Sequence, residues 1–219
     1  MVTDAPGLLQ RRAVIAGLVA AAASPAAAAT TPFPPVTLAS SVAYRQWETR
    51  AKVPRKLARD SQVTTAAGAK LAMAQWFDGK PAIFVLWASW CPPCLAESPE
   101  LAKLQKTLIK GGYKTRVRAL HAYDDMTFPN AVAKINRLGS AGLDSADASA
   151  QAEKTFIQVF GESPKEKGRT SLPALMLVSA DGYELARQIG TFELPGKKSY
   201  WDRPATLQML RALDALPPL

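Results

Sequence analysis

The 219-residue chain holds two cysteines and one histidine, and these shortages exclude more than its bulk composition does. Both cysteines, Cys91 and Cys94, lie in one CPPC block, so no wider disulfide framework can brace the chain. A structural zinc site needs four ligands; two thiols and His121 fall short, and no second CxxC or histidine pair completes a set. No resident metal or other cofactor is expected. No apolar run reaches the ~18 to 20 residues that cross a bilayer, so the mature chain is expected to lack a transmembrane segment. The net charge of +9 is dispersed. Its densest groups, RVR at 116–118 and PGKK at 195–198, are not interleaved with aromatics, which argues against a nucleic-acid surface. No internal repeat is present.

At 48% hydrophobic and 21% charged, what remains is the composition of a globular protein with a real core. The first residues read differently. Arg11 and Arg12 precede the apolar AVIAGLVAAAA, Ser24-Pro25 breaks it, and AAAAT at 26–30 offers a small-residue cleavage site after Ala28 or Ala29. The order basic, apolar, small reads as a signal peptide over 1–29, against the alternative of a buried alanine-rich helix. The paired arginines loosely resemble a twin-arginine signal but lack the usual preceding Ser/Thr and following Phe, so the export route stays open. The expected location is the bacterial periplasm, where disulfides persist.

Past the signal, residues 30–63 read as an N-terminal extension and 64–219 as the main domain. TTPFPPV (30–36) suggests an extended, poorly ordered tether, and 38–53 has helical spacing through Val42 and Trp47 up to Pro54. AAGAKLAMAQWFDGKP (66–81) suggests a hairpin or strand–turn unit, with turns at Gly68 and Asp78-Gly79. AIFVLWA (82–88) is a continuous apolar run of strand length, fitting a strand covered on both faces. Leu95, Leu101, Leu104 and Leu108 predict a helix ending at Gly111-Gly112, and TRVRALHAY (115–123) predicts the next strand. Helices are expected through Phe128–Leu138 and Ala148–Phe160, a charged loop over 162–170, a hairpin over 174–190 turning at Asp181-Gly182, and a last helix over 206–216. This order joins a parallel crossover half to an antiparallel half: an α/β fold, with a mixed central sheet flanked by helices on both faces.

The CPPC block then admits a small structural disulfide, a copper(I) site of two thiolates, or a reactive dithiol. A disulfide loop this short stabilises little by the loop-closure account, and two thiolates alone keep copper(I) as a minor option. The reactive reading has a mechanism. Pro92 and Pro93 suit a first helical turn, which places Cys91 at the helix N-terminus, where unpaired N–H groups and the dipole favour a thiolate. Cys94, one turn inward, would be more buried; Cys91 would react at the surface and Cys94 resolve the mixed disulfide.

FVLWASWCPPC resembles the active-site segment of thioredoxin-fold proteins, and WASWCPPC with the following Glu97-Ser98-Pro99 is similar to the TlpA/ResA-like branch of exported thiol–disulfide oxidoreductases. The likeness spans about residues 64 to 216, with the hairpin of AKLAMAQWFDGKP as an N-terminal extension of a thioredoxin-like fold. It implies Cys91 as nucleophile, Cys94 as resolving thiol, and Pro173 as a cis-proline facing them beside Leu172. It implies Glu97, on the Cys94 face of the helix, as a proton-exchange partner, against a solvated first-turn carboxylate as the alternative. Pro99 is expected to kink that helix. Trp90, Pro92, Pro93 and Leu172 would border the substrate, with Trp90 exposed and Trp87 in the core; His121 reads as structural or solvated.

Three features depart from the family. Val85 stands six residues before Cys91, where cytoplasmic thioredoxins usually carry a buried aspartate. Ala174-Leu175-Met176 follows Pro173, implying an apolar substrate surface. Residues 38–56 and FELPGKKSYWD (192–202) have no assignable counterpart. The implied activity is reduction of disulfides in exported client proteins with cysteine pairs, of the cytochrome c or cytochrome oxidase maturation type. A membrane-bound electron donor would re-reduce the enzyme. Pro-Pro between the cysteines offers no charge to stabilise a reduced thiolate, which favours reduction over the alternative of a disulfide-donating oxidase. A non-catalytic copper(I) chaperone is the alternative of another class.

Overall fold

The computed structural model describes residues 33–57, 61–148, 165–166, 169–192 and 199–219. The signal segment, most of the helix expected over 148–160 and the middle of the 192–202 segment lie outside them. The chain runs α1 (Val36–Ala39), a 3-10 turn (Tyr44–Gln46), β1 (Thr49–Lys56), β2 (Gln62–Thr65), β3 (Lys70–Ala72), α2 (Met73–Phe77), β4 (Ala82–Trp87) and α3 (Pro92–Lys110). It continues with β5 (Arg116–His121), α4 (Phe128–Ile135), a π turn (Asn136–Ser140), β6 (Ser145–Asp147), the short pair β7 (Lys165–Glu166) and β8 (Arg169–Thr170), β9 (Ala174–Val178), β10 (Tyr183–Ile189) and α5 (Pro204–Asp214).

The main sheet has the order β1-β10-β9-β4-β5-β6-β2-β3. β4, β5 and β6 are parallel neighbours, and the flanks are antiparallel. The continuous apolar run of β4 is explained by its two covered faces. Ile83 and Val85 point into one core with Leu101, Leu104, Leu108, Met209 and Leu213, while Phe84 and Leu86 join Met73, Trp76 and Phe77 on the other. β9 alternates in the same way, Leu175 and Leu177 on one side and Met176 and Val178 on the other.

α3 starts with Cys91 as N-cap and Pro92 and Pro93 in its first turn, and it runs unbroken through Pro99. Pro99 has no N–H for the Leu95 carbonyl, and the Ser98 hydroxyl donates to that oxygen instead, at 3.2 Å. At the other end Gly111 caps the helix and Gly112 has φ 68°, a region that suits glycine.

The N-terminal segment differs from its expected form. Phe33 packs against the core and Pro35 is buried, so the tether does not extend to residue 36. The helical spacing over 38–53 resolves into α1, the 3-10 turn and β1. Leu38, Tyr44 and Trp47 are buried from these separate short elements. β1 is an edge strand whose register shifts between Arg50 and Arg55, and Pro54 falls within that interval. An edge with an irregularity is where a strand tolerates a residue that cannot donate. The charged loop over 162–170 contains β7 and β8, and Leu138 is exposed beyond the end of α4.

Candidate functional site

Cys91 and Cys94 are joined by a disulfide at the N-terminus of α3. The Cys94 N–H donates to Cys91 Sγ at 3.2 Å, and the Leu95 N–H donates to the Cys91 carbonyl at 3.1 Å, so the helix cap and the disulfide share the same atoms. Unsatisfied amides and the macrodipole at this end favour negative charge on sulfur once the bond is reduced.

The expected contrast in exposure is absent. Cys91 is 2% exposed and Cys94 4%. The closed ring packs into an apolar cluster with Trp87, Ala88, Ala119, Ala131 and Ile135, which covers Cys91 as fully as its partner. What faces solvent is the rim: Trp90 is half exposed, Pro92 and Pro93 are exposed, and Leu172 is partly buried against the cluster. The Leu172–Pro173 peptide bond is cis. Ala174, Leu175 and Met176 form no substrate surface; they are fully buried, because they open β9, an interior strand of the sheet with a core on each side.

Beneath the disulfide lies a small cavity lined by Val85, Trp87, Cys94, Glu97, Ser98, Leu101, Ala119, Leu143 and Pro173. Its ~10 Å³ of free space is at the lower limit for one water. Glu97 is buried, not a solvated first-turn carboxylate. Burial pushes its carboxyl up from 4.5 to about 7, against the lowering effect of a hydrogen bond from Trp201. The Trp201 indole Nε1–H donates to Glu97 Oε1 at 2.9 Å, and Glu97 Oε2 is buried without a partner among the described residues. Val85, at the position where cytoplasmic thioredoxins usually carry an aspartate, lines the same cavity, so Glu97 is the carboxyl that shares this space with Cys94.

The loop before Cys91 is held by groups that sequence spacing did not single out. Asp124 accepts from the Ser89 N–H, Lys134 Nζ donates to the Ser89 carbonyl at 2.8 Å, and the Trp90 indole donates to the Tyr123 carbonyl at 2.5 Å. Burial raises the Asp124 carboxyl, but the N–H groups of Met126 and Ser89 and the ring of His121 outweigh it and hold it below the usual range. His121 is neither solvated nor near a third ligand. It is fully buried, with Nδ1 2.8 Å from Asp147 and Nε2 2.9 Å from Asp124, and its ring lies between Trp87 and Phe128. Among the described residues no group of three or more His, Cys, Asp or Glu is placed to hold a metal. None of the described helices is long and apolar enough to cross a membrane.

No periodicity marks Trp201; the one sequence signal for it is three aromatics, Phe192, Tyr200 and Trp201, in a segment without an assignable family counterpart. Asp124 was marked only by its position just after β5.

A family model described as Redoxin matches residues 52–200. Among curated proteins, 70 residues are 37% identical to the thiol:disulfide interchange protein DsbE of Pasteurella multocida, covering 30% of this chain and 39% of that protein. Over 58 residues the chain is also 40% identical to the soluble secreted antigen MPT53 of Mycobacterium tuberculosis, covering 25% of this chain and 33% of that protein. The matched region thus spans little more than a third of these relatives. Among solved structures, a thioredoxin family thiol:disulfide interchange protein from Chlorobium tepidum has a TM-score of 0.51 at 21% identity, over 73% of this chain and 99% of that one. A DsbF homologue from Corynebacterium diphtheriae has a TM-score of 0.51 at 16% identity, over 73% and 87%. These two likenesses give the fold, a thioredoxin-like mixed sheet flanked by helices.

Proposed function

This chain belongs to the Redoxin family, and from that premise we propose that it is an exported thiol–disulfide oxidoreductase of the TlpA/ResA-like kind. It reduces disulfides in other exported proteins. One observation supports this above the others: a disulfide at a helix N-terminus shares a small cavity with a buried carboxyl that burial pushes up to about 7.

In the reduced protein the Cys91 thiolate attacks a client disulfide. One client sulfur leaves as a thiolate and the other stays bonded to Cys91. Glu97, as carboxylate, takes the proton of Cys94; the Cys94 thiolate attacks Cys91 Sγ, releasing the second client thiolate and closing the disulfide seen here. The client gains two electrons and the enzyme loses two, which a membrane-bound dithiol donor restores. Pro173, beside Cys94, and the rim of Trp90, Pro92, Pro93 and Leu172 would receive the client backbone. Because the oxidised Cys91 is covered by the apolar cluster around it, the donor has to loosen that packing to reach it, which would restrict exchange to partners that bind there.

Residues 1–29 would direct export, and the curated relative named a secreted antigen is in keeping with that location. Clients of the cytochrome c or cytochrome oxidase maturation type remain part of the proposal. The test is insulin reduction by a coupled dithiol donor: wild type should turn over and Cys91→Ser should fall to background. Cys94→Ser should accumulate a mixed disulfide whose partner mass spectrometry identifies. Tight copper(I) binding without turnover would overturn the enzyme reading in favour of a chaperone.

A further inference from the structure

Trp201, in the segment over 192–202 that family resemblance leaves unassigned, reaches the redox site. Trp201 Nε1–H is on Glu97 Oε1 across 104 positions of sequence, and both side chains are buried. Trp201 is itself held in place. Tyr200 and Phe192 stack with centroids 3.8 Å apart, and both meet the Trp201 ring edge-on, at 4.9 and 5.4 Å. The Tyr200 hydroxyl accepts from Trp47 Nε1 at 3.0 Å and donates to the Ala43 carbonyl at 2.9 Å, and the Thr206 hydroxyl donates to the Tyr200 carbonyl at 2.6 Å. The second unassigned segment, 38–56, is therefore the other half of an aromatic clasp around Trp201.

An indole has one N–H and no acceptor, so it can only donate. An oxygen that accepts it is better as a carboxylate or carbonyl oxygen than as a hydroxyl. The other oxygen, Oε2, is buried and unpartnered. We infer that Trp201, held by the Trp47–Phe192–Tyr200 clasp, is a positioning residue that fixes the Glu97 carboxyl and reserves Oε2 as the oxygen that carries the proton exchanged with Cys94. This rests on the proposed dithiol chemistry for its purpose, but the contact can be tested without it.

The surroundings favour a single-contact control. Cys94 and Glu97 are the titratable groups lining the cavity, and β4, β5 and the Pro173 loop contribute only Val85, Trp87, Ala119 and Pro173. On α3, Glu100 lies one turn beyond Glu97. The Lys103–Asp202 pair, exposed, ties α3 to the residue after Trp201 at 2.7 Å. In the oxidised protein Cys94 does not titrate, so Glu97 can be read alone.

The experiment is a ¹³C NMR titration of the Glu97 carboxyl in the oxidised full chain, assigned with Glu97→Gln, alongside the ¹⁵N–H resonance of the Trp201 indole. The indole resonance should titrate with the Glu97 midpoint and lose that dependence in Glu97→Gln. In Trp201→Phe the Glu97 midpoint should rise by about one pH unit, the size expected for losing a hydrogen bond to a charged group. The pH profile of Cys94 alkylation in the reduced form should move the same way. A pH-independent indole resonance, or an unmoved Glu97 midpoint, would overturn the inference. If Trp201→Phe does not fold, the Glu97→Gln arm still decides. Absence of insulin reduction with both NMR results intact would instead sink the proposed function and leave the contact standing.

Discussion

Replacing Glu97 by Gln should change how stability depends on pH, by an amount the structure sets. Unfolded, the carboxyl titrates near 4.5; folded, burial moves it to about 7. Between those values the native state binds a proton that the unfolded state does not. The stabilisation is fully present below 4.5 and is lost as pH rises through 7. With each pH unit equivalent to about 1.4 kcal/mol, Glu97 alone should lower stability by about 3 kcal/mol between pH 4.5 and pH 8. Gln keeps the shape and the acceptor for Trp201 but cannot ionise. Urea unfolding of the oxidised protein at both pH values, followed by tryptophan fluorescence, measures the effect. Using the oxidised form keeps both cysteines from titrating. The difference between wild type and Glu97→Gln cancels groups that shift the other way, such as Asp124. Wild type should lose about 3 kcal/mol more than the variant over this range. Equal pH dependence in the two proteins would refute the buried, proton-holding carboxyl.

Asp124→Ala strips the acceptor from the Ser89 and Met126 N–H groups and from His121, and should cost about 2–3 kcal/mol in the same unfolding assay. Because Ser89 lies two residues before Cys91, the variant should also alter the rate of Cys91 alkylation in the reduced protein. Val85→Asp would place a second carboxyl in the Glu97 cavity; it should destabilise by about 3 kcal/mol or more at pH 8 and by less at pH 5, where both groups can be protonated. Arg118→Met leaves the Asp144 carboxylate with Trp76 Nε1 as its remaining described partner. Since Asp144 is 36% exposed, a loss of about 2 kcal/mol is expected in urea unfolding, below the full cost of breaking a buried pair.

The parts legible in sequence are those where one physical signal dominates. β4 is readable because six consecutive apolar residues between turn signals fit a strand covered on both faces, and α3 because CPPC followed by leucines at helical spacing fixes both its start and its face. β1 was not. TRAKVPRK carries charge and a proline, which read against a strand until the chain is placed at an irregular edge of the sheet. β6, three residues long, carries too little pattern to show. The spacing of the cysteines located the dithiol but said nothing of what covers it. The cluster that buries Cys91 includes Ala119 on β5 and Ala131 and Ile135 on α4, far off in sequence. Glu97 is legible from its motif, but its burial, which makes it more than a first-turn carboxylate, and its hydrogen bond from Trp201, 104 positions away, are not. No local pattern encodes them.

The account turns on Cys91 and Cys94 being an exchanging, reducing pair. Equilibrating the protein with glutathione redox buffers and quantifying its thiols gives the reduction potential directly. A value nearer to that of thioredoxin, about −270 mV, is predicted. A value near that of the strong disulfide donors, about −120 mV, or a disulfide that does not exchange at all, would contradict it.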